Sequence, residues 1–256
     1  MLIASGFNWF QLVPGVEDGS LMPFAGHYGY MVVAAWFSCF VLVAFAFLAR
    51  QGLSAAVARG GPAAFYADEG LTVRNIGEYL VGALYDLMKG MMEAKYARMF
   101  LPLVAALALF IFVNNAMGLV PGFPSITDNL NMNLAMAITT MATYVFVGLR
   151  FDPKGFVHHI IGPVWWLAIL FVPLELLTLF VIRPFSLSIR LAANMMGDHM
   201  VFNIMSGLIP WPVAYPVIFL GLGLLVCVIQ AFVFALLTSV YISLAVPHGD
   251  HHGDAH

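Results

Sequence analysis

The sequence predicts an all-α polytopic membrane protein: about five to six membrane helices, a long and strongly tilted C-terminal helix hairpin, and an amphipathic helix at the cytoplasmic surface. Three observations carry this reading. Of 256 residues, 62% are hydrophobic and 9% charged, whereas soluble domains carry about 25% charged residues. Uncharged runs of 21 residues and more occur, long enough to cross ~30 Å of hydrocarbon. The last two apolar regions are too long to cross it perpendicularly.

The elements follow in order. Residues 1–27 form an outer N-terminal segment, and Tyr28–Leu48 is the first span. No Lys or Arg precedes residue 50, so this run lacks the basic leader of a signal peptide and is read as retained. Residues 50–98 form a cytoplasmic loop. Within it Val73, Ile76, Leu80, Leu84, Leu87 and Met91 recur at three- and four-residue steps, opposite Arg74, Glu78, Asp86, Lys89 and Glu93. That spacing predicts an amphipathic helix, lying on the membrane or docking a partner subunit. Met99–Val120 and Met132–Leu149 are the next spans, a hairpin within residues 99–149 interrupted at Pro121-Gly122-Phe123-Pro124. Residues 160–246 form the tilted hairpin. Ile160–Ser206 is its first arm, with Pro173 and Pro184 as expected bend points. Its second arm, Trp211–Val246, has 36 uncharged residues, about 54 Å as a helix. Residues 247–256 are a His-rich polar tail, read as solvated in preference to metal-binding. The whole is expected to be a single membrane domain.

Charge orients the chain. Arg50, Arg59, Arg74, Lys89, Lys95 and Arg98 lie in the first loop, and Arg150 and Lys154 follow the third span. By the positive-inside rule these loops face the cytoplasm, with the N-terminus outside and the C-terminus cytoplasmic. A net charge of −3 gives no support to a nucleic-acid partner. Cys39 and Cys227 are far apart in apolar runs and are read as small buried hydrophobes. No Gly-rich phosphate loop occurs, and no cofactor or metal is expected.

Arg190 is the residue that needs explaining. It lies between Leu174–Ile182 and the stretch 200–249, which is free of Asp, Glu, Lys and Arg. An arginine at mid-bilayer costs roughly 2.5–3.5 kcal/mol on insertion scales, so a partner is expected. At about 100° per residue, Arg183, Ser186, Arg190, Asn194 and Gly197 share a stripe, with Asp198 at its margin. Such a stripe meets another polar surface, a water-filled path, or both. The bland alternative is an internal salt bridge of Arg190 with Glu175 or Asp198. Gln230, alone in the last apolar run, is either interhelical glue or a support for that arginine. Glu175 and Arg183 are each read as path-lining or as buried structural partners, with Glu175 assigned to the path. His158 and His159 are read as interfacial.

The run Pro184-Phe-Ser-Leu-Ser-Ile-Arg190-Leu-Ala-Ala-Asn194-Met-Met-Gly resembles the signature of the a subunit of F-type ATP synthases. Ile229-Gln230-Ala231-Phe232-Val233-Phe234, followed by Thr238 and Tyr241, is similar to that family's last helix. The Pro124–Leu134 segment resembles its entry into the preceding hairpin. The likeness spans roughly residues 75–246. It implies an ion-translocating, most simply proton-translocating, stator subunit with no nucleotide site of its own. Implied partners are a ring of c subunits, each with one membrane carboxylate, b-type peripheral stalk subunits, and the remaining synthase subunits. Arg190 would face the ring carboxylates between two aqueous half-channels, with Asn194, Gln230, Asp198, His199, Glu175 and Asp128 along the ion path. The implied location is the inner (plasma) membrane of a bacterium, as no transit peptide is read.

Two departures from the family pattern stand out. Seven residues before the glutamine, where an acid or histidine is usual, this chain has Gly223; beside His199, where a small residue is usual, it has Asp198. The titratable group is therefore expected to have crossed the helix pair to Asp198. Asp128 also sits one residue before the expected acid, where Asn129 stands. A stand-alone secondary transporter or channel would normally show an internal repeat, and none is found. A haem or metal enzyme is poorly served by His158, His159 and His199 as placed.

Overall fold

The computed structural model describes residues 29–59, 72–120, 123, 125–151, 153, 155–156, 161, 168–208 and 214–247. Among them the regular structure is wholly helical: α1 (Gly29–Arg59), α2 (Val73–Lys89), α3 (Ala94–Gly118), a 3-10 turn (Ile126–Asp128), α4 (Leu130–Phe151), α5 (Ala168–Leu177), a π turn (Thr178–Ile182), α6 (Arg183–Leu208) and α7 (Ala214–Ala245). Among the described residues five stretches are long and apolar enough to cross a membrane: Gly29–Ala58, Ala94–Gly118, Leu130–Phe151, Ile169–Gly197 and Leu220–Ala245. The chain is an all-α polytopic membrane protein.

Helix α1 is apolar on every side, and Trp36, Phe40, Val43 and Phe47 remain exposed on it. A helix with no polar face belongs in an apolar surrounding. Helix α2 starts where the Thr72 hydroxyl accepts a bond from the Asn75 N–H at 3.3 Å, a side-chain cap for an otherwise orphaned donor. Its packed side keeps Leu84 and Leu87 of the apolar stripe against the core but not the stripe's first turn. Arg74, Gly77 and Met88 are buried, whereas Val73 and Ile76 are exposed. Gly77 lets α2 approach Ala49 of α1 closely.

The core is a α3–α4–α7 bundle with α6 laid across α4. Lipid tails are as apolar as leucine, so such helices are held by close contact and polar pairs rather than by exclusion of water. Helix α7 shows how. Gly223, Cys227, Ala231, Ala235, Ser239 and Ser243 recur every fourth residue and are all buried. This small-residue stripe lets α7 approach both α3 and α4. At its lower end Ser243 donates to the Met91 carbonyl at 2.6 Å, tying α7 to the α2–α3 turn.

The first arm of the C-terminal hairpin is interrupted by the π turn that lies between the two prolines. Pro173 sits inside α5, and Pro184 is the second residue of α6. The Arg183 N–H donates to the Thr178 carbonyl, five residues back. A proline ring collides with the carbonyl four residues before it, here Phe180, and a widened turn relieves that collision. At 1.5 Å per residue the run 168–208 is about 60 Å long and α7 about 48 Å, both longer than a bilayer core.

Candidate functional site

Rotation of α6 is set by its apolar side. Leu187, Leu191 and Met195 are buried, the first two in a cluster with Ile111, Met136, Ala137, Ala231 and Phe234. Ser188, also buried, returns its hydroxyl to the Pro184 carbonyl at 2.7 Å and so brings no unpaired donor into this cluster. With that side held inward, Ser186, Arg190, Asn194 and Gly197 are all exposed on the outward face. Four members of the stripe read in the sequence thus share one surface.

Among the described residues Arg190 has no ion pair. The ion pairs among the described residues are Arg74–Glu78 and Arg183–Glu175. The bland alternative of an Arg190–Glu175 bridge is not what forms: Glu175 Oε1 accepts from Arg183 Nη2 at 3.0 Å. The physical reason lies in the π turn. Eight residues of pure α-helix would place Glu175 and Arg183 about 80° apart. The π turn advances less than an α-turn per residue, absorbs the extra residue and brings both onto one side.

Arg183 consequently leaves the outward stripe. Its guanidinium stands 5.6 Å from the Tyr144 ring centroid of α4 and 5.3 Å from that of Tyr241 of α7. The two rings are 6.5 Å apart. The guanidinium thus stands between two aromatic faces and a carboxylate, while its buried Nη1 has no hydrogen-bond partner among the described residues. Sequence reading missed Tyr144, for a tyrosine in an apolar run gives no sign of which helix it will face. It reached Tyr241 only as part of a motif.

One turn above Arg190, Asn194 Nδ2 donates to Gln230 Oε1 at 2.6 Å. Gln230 is 3% exposed, while Asn194 is exposed. This bond joins α6 to α7 directly behind the arginine. Among the described residues the Gln230 Nε2 group has no partner. The side chains of Asp198, His199 and Asp128 lie outside the described residues, although all three positions fall within regular elements.

A second polar group, not foreseen from the sequence, occupies the opposite end of the bundle from the basic loops. Ser38 donates to Asn114 Oδ1 at 2.7 Å, joining α1 to α3. Thr127 donates to Asn115 Oδ1 at 2.5 Å and pairs with Ser125 at 2.7 Å. Asn133 Nδ2 donates to the Thr127 carbonyl at 2.7 Å. All six side chains are buried. The adjacent asparagines 114 and 115 inside an apolar run were the available signal.

Gly223 has a packing reason. It belongs to the small-residue stripe of α7, and a Cβ there would run into the Leu119 side chain at the end of α3.

The profile of the ATP synthase A chain family matches residues 32–243. This chain belongs to that family. The ATP synthase subunit a of Bdellovibrio bacteriovorus is 34% identical over 249 residues, 96% of this chain and 99% of that protein. The subunit a of Sorangium cellulosum is 37% identical over 185 residues, 72% and 71% of the two chains. That of Desulfotalea psychrophila is 39% identical over 175 residues, 68% and 72%. As a member of the A chain family, the protein is a multi-pass subunit of the membrane sector of ATP synthase.

Proposed function

We propose that the chain is the ion-translocating stator of the synthase membrane sector, most simply for protons, and that Arg190 meets the carboxylates of a rotating c-subunit ring. The observation that carries this is Arg190 itself: exposed on the outward side of a membrane-crossing helix, without an ion pair among the described residues. An arginine so placed needs an anion supplied from outside its own chain. A ring carboxylate within ~4–6 Å would be held ionised by it, its pKa depressed, and so would release its proton on arrival. The fixed positive charge also bars a direct proton leak between two half-channels. Each elementary charge crossing 100 mV delivers ~2.3 kcal/mol, so several must pass for each ATP made.

The Asn194–Gln230 bond supports the arginine by fixing the spacing of α6 and α7 beside it. Asp198 and His199, the next residues toward the end of α6, and Asp128 in the 3-10 turn are proposed as titratable groups of one half-channel. Glu175 with Arg183 is proposed to anchor the other. Nucleotide chemistry is left to other subunits, and peripheral stalk subunits of b type hold the chain against rotation. The membrane is taken to be a bacterial inner membrane with the residue 50–98 loop in the cytoplasm.

The test is ATP-driven acidification of inverted vesicles with Arg190→Ala, at matched assembly and ATP hydrolysis. Loss of pumping with hydrolysis and assembly intact is expected. Undiminished pumping would make Arg190 structural and sink the proposal.

A further inference from the structure

Helices α3, α4, α6 and α7 meet at the buried cluster built on Ile111, Met136, Leu187, Leu191 and Phe234. On one side of it every one of these helices carries a carboxamide, three or four positions from its cluster residue: Asn115 on α3, Asn133 on α4, Asn194 on α6 and Gln230 on α7. On the other side stand Thr238, the Arg183–Glu175 pair and the two tyrosines around that pair. Two hydroxyls enter the layer between, Ser188 and Thr140. Both turn back to carbonyls of their own helices, those of Pro184 and Met136.

Two contacts fix the place of this layer relative to Arg190. Asn194 meets Gln230 and Arg183 meets Tyr241, eleven positions apart on each helix, so α6 and α7 run antiparallel in one register. Arg190 and Phe234 are each four positions from the Asn194–Gln230 bond, and Phe234 therefore lies level with Arg190. The arginine faces outward, while Leu187, Leu191 and Phe234 close the inward side at the same height. Buried polar atoms without a partner among the described residues flank the layer: Asn133 Oδ1 and Gln230 Nε2 on one side, Thr238 Oγ1 and Arg183 Nη1 on the other. Buried polar atoms are normally hydrogen-bonded, so both flanks are places for water. A buried water needs about two to four polar partners, and the layer itself offers none of its own among the described residues. From Gln230 to Thr238 it occupies about 12 Å of helix.

We propose that this cluster, with Phe234, Leu187 and Leu191 at its centre, is a dry seal between the two half-channels on the inward side of α6, where Arg190 does not reach. The inference rests on the stator reading above. A fixed positive charge bars protons along the face on which it stands. Helix α6 is a single helix thick, with polar groups behind it on both flanks of the cluster, so its inward side needs a barrier of another kind. An apolar constriction supplies one by staying free of water. Protons move along hydrogen-bonded groups and water, and the chain of both stops at this layer. Phe234, Leu187 and Leu191 thereby serve coupling as well as packing: they leave the ring carboxylates as the one route across.

The test is made on the complete synthase in liposomes, with Arg190 intact. A potassium diffusion potential drives protons inward, an enclosed pH dye reads the flow, and dicyclohexylcarbodiimide caps the ring carboxylates. In the wild type the carbodiimide should stop the flow. Leu191→Asn and Phe234→Asn place a carboxamide in the layer, and each should leave a carbodiimide-resistant flow several times the wild-type residue. Phe234→Leu keeps the layer apolar and should return that flow to the wild-type level. Assembled asparagine variants whose flow the carbodiimide still stops would overturn the seal and leave the stator reading standing. An equal leak through Phe234→Leu would overturn it too, as a defect of shape and not of wetting. Resistant flow already present in the wild type would instead sink the stator reading, and the seal with it. Should the asparagine variants fail to assemble, Met136→Gln, nearly unchanged in shape, decides: it leaks past the blocked ring or the seal is refuted.

Discussion

Asn194 and Gln230 are separated by 36 positions yet share a 2.6 Å bond. Interhelical bonds of this kind are worth ~0.6 kcal/mol on average in a membrane and ~1.7 at most. A double-mutant cycle of Asn194→Ala and Gln230→Ala, read as unfolding free energy in detergent, should give a coupling in that range. Zero coupling would mean the contact contributes no stability. Gly223 teaches a different lesson. A glycine in place of an expected titratable residue suggests lost chemistry, but here it also allows α7 to pass Leu119. If the titratable group has moved to Asp198, Asp198→Gly should cripple pumping. Restoration by Gly223→His should then require Leu119→Ala as well, since the imidazole needs the space of that side chain. A triple variant that assembles but pumps no better than Asp198→Gly would end the compensation idea.

Between Glu175 and Arg183 the π turn holds one residue more than an α-helical turn would. Deleting exposed Phe180 leaves a seven-residue spacing, which in an α-helix again puts the pair on one side. Inserting an alanine after Phe180 rotates Glu175 away by about a further 100°. The deletion should therefore retain most ATP-driven acidification, whereas the insertion should abolish it in assembled complexes. Equal tolerance of both would show that the Glu175–Arg183 pair does not set the register of α6. The same reasoning explains why Pro184 is accommodated without breaking the helix. The strain of its ring is spent in widening the turn before it.

Over the whole molecule, charge and apolar surface are sharply divided. Basic residues gather at the end of α1, along α2 and at the start of α3, and the buried Ser–Thr–Asn network at the opposite end of the bundle. If the basic end is cytoplasmic, a cysteine at Glu93, in the exposed α2–α3 turn, should react with an impermeant maleimide only from that side. A cysteine at exposed Asn131, at the start of α4, should react only from the other. The reverse pattern would invert the proposed topology. Helices α5 and α6 lie outside the bundle, with Ile169, Leu174, Phe180, Phe185 and Met196 exposed along their length. Arg190 thus stands on the exposed side, where the proposed ring would lie.

Membrane-spanning character and the approximate position of each long helix were legible in the sequence. Each follows from a property of one segment: its length or its hydropathy. Periodicity also put Ser186, Arg190, Asn194 and Gly197 on one face, because a regular α-helix carries that relation unchanged. The partner of Glu175, the box of Tyr144 and Tyr241 around Arg183 and the packing of Gly223 were decided only in three dimensions. Each depends on an irregular turn or on the distance between helices far apart in the chain. Hydropathy is blind to both, because in an apolar solvent the choice of neighbour is made by fit, not by the pattern of apolar residues.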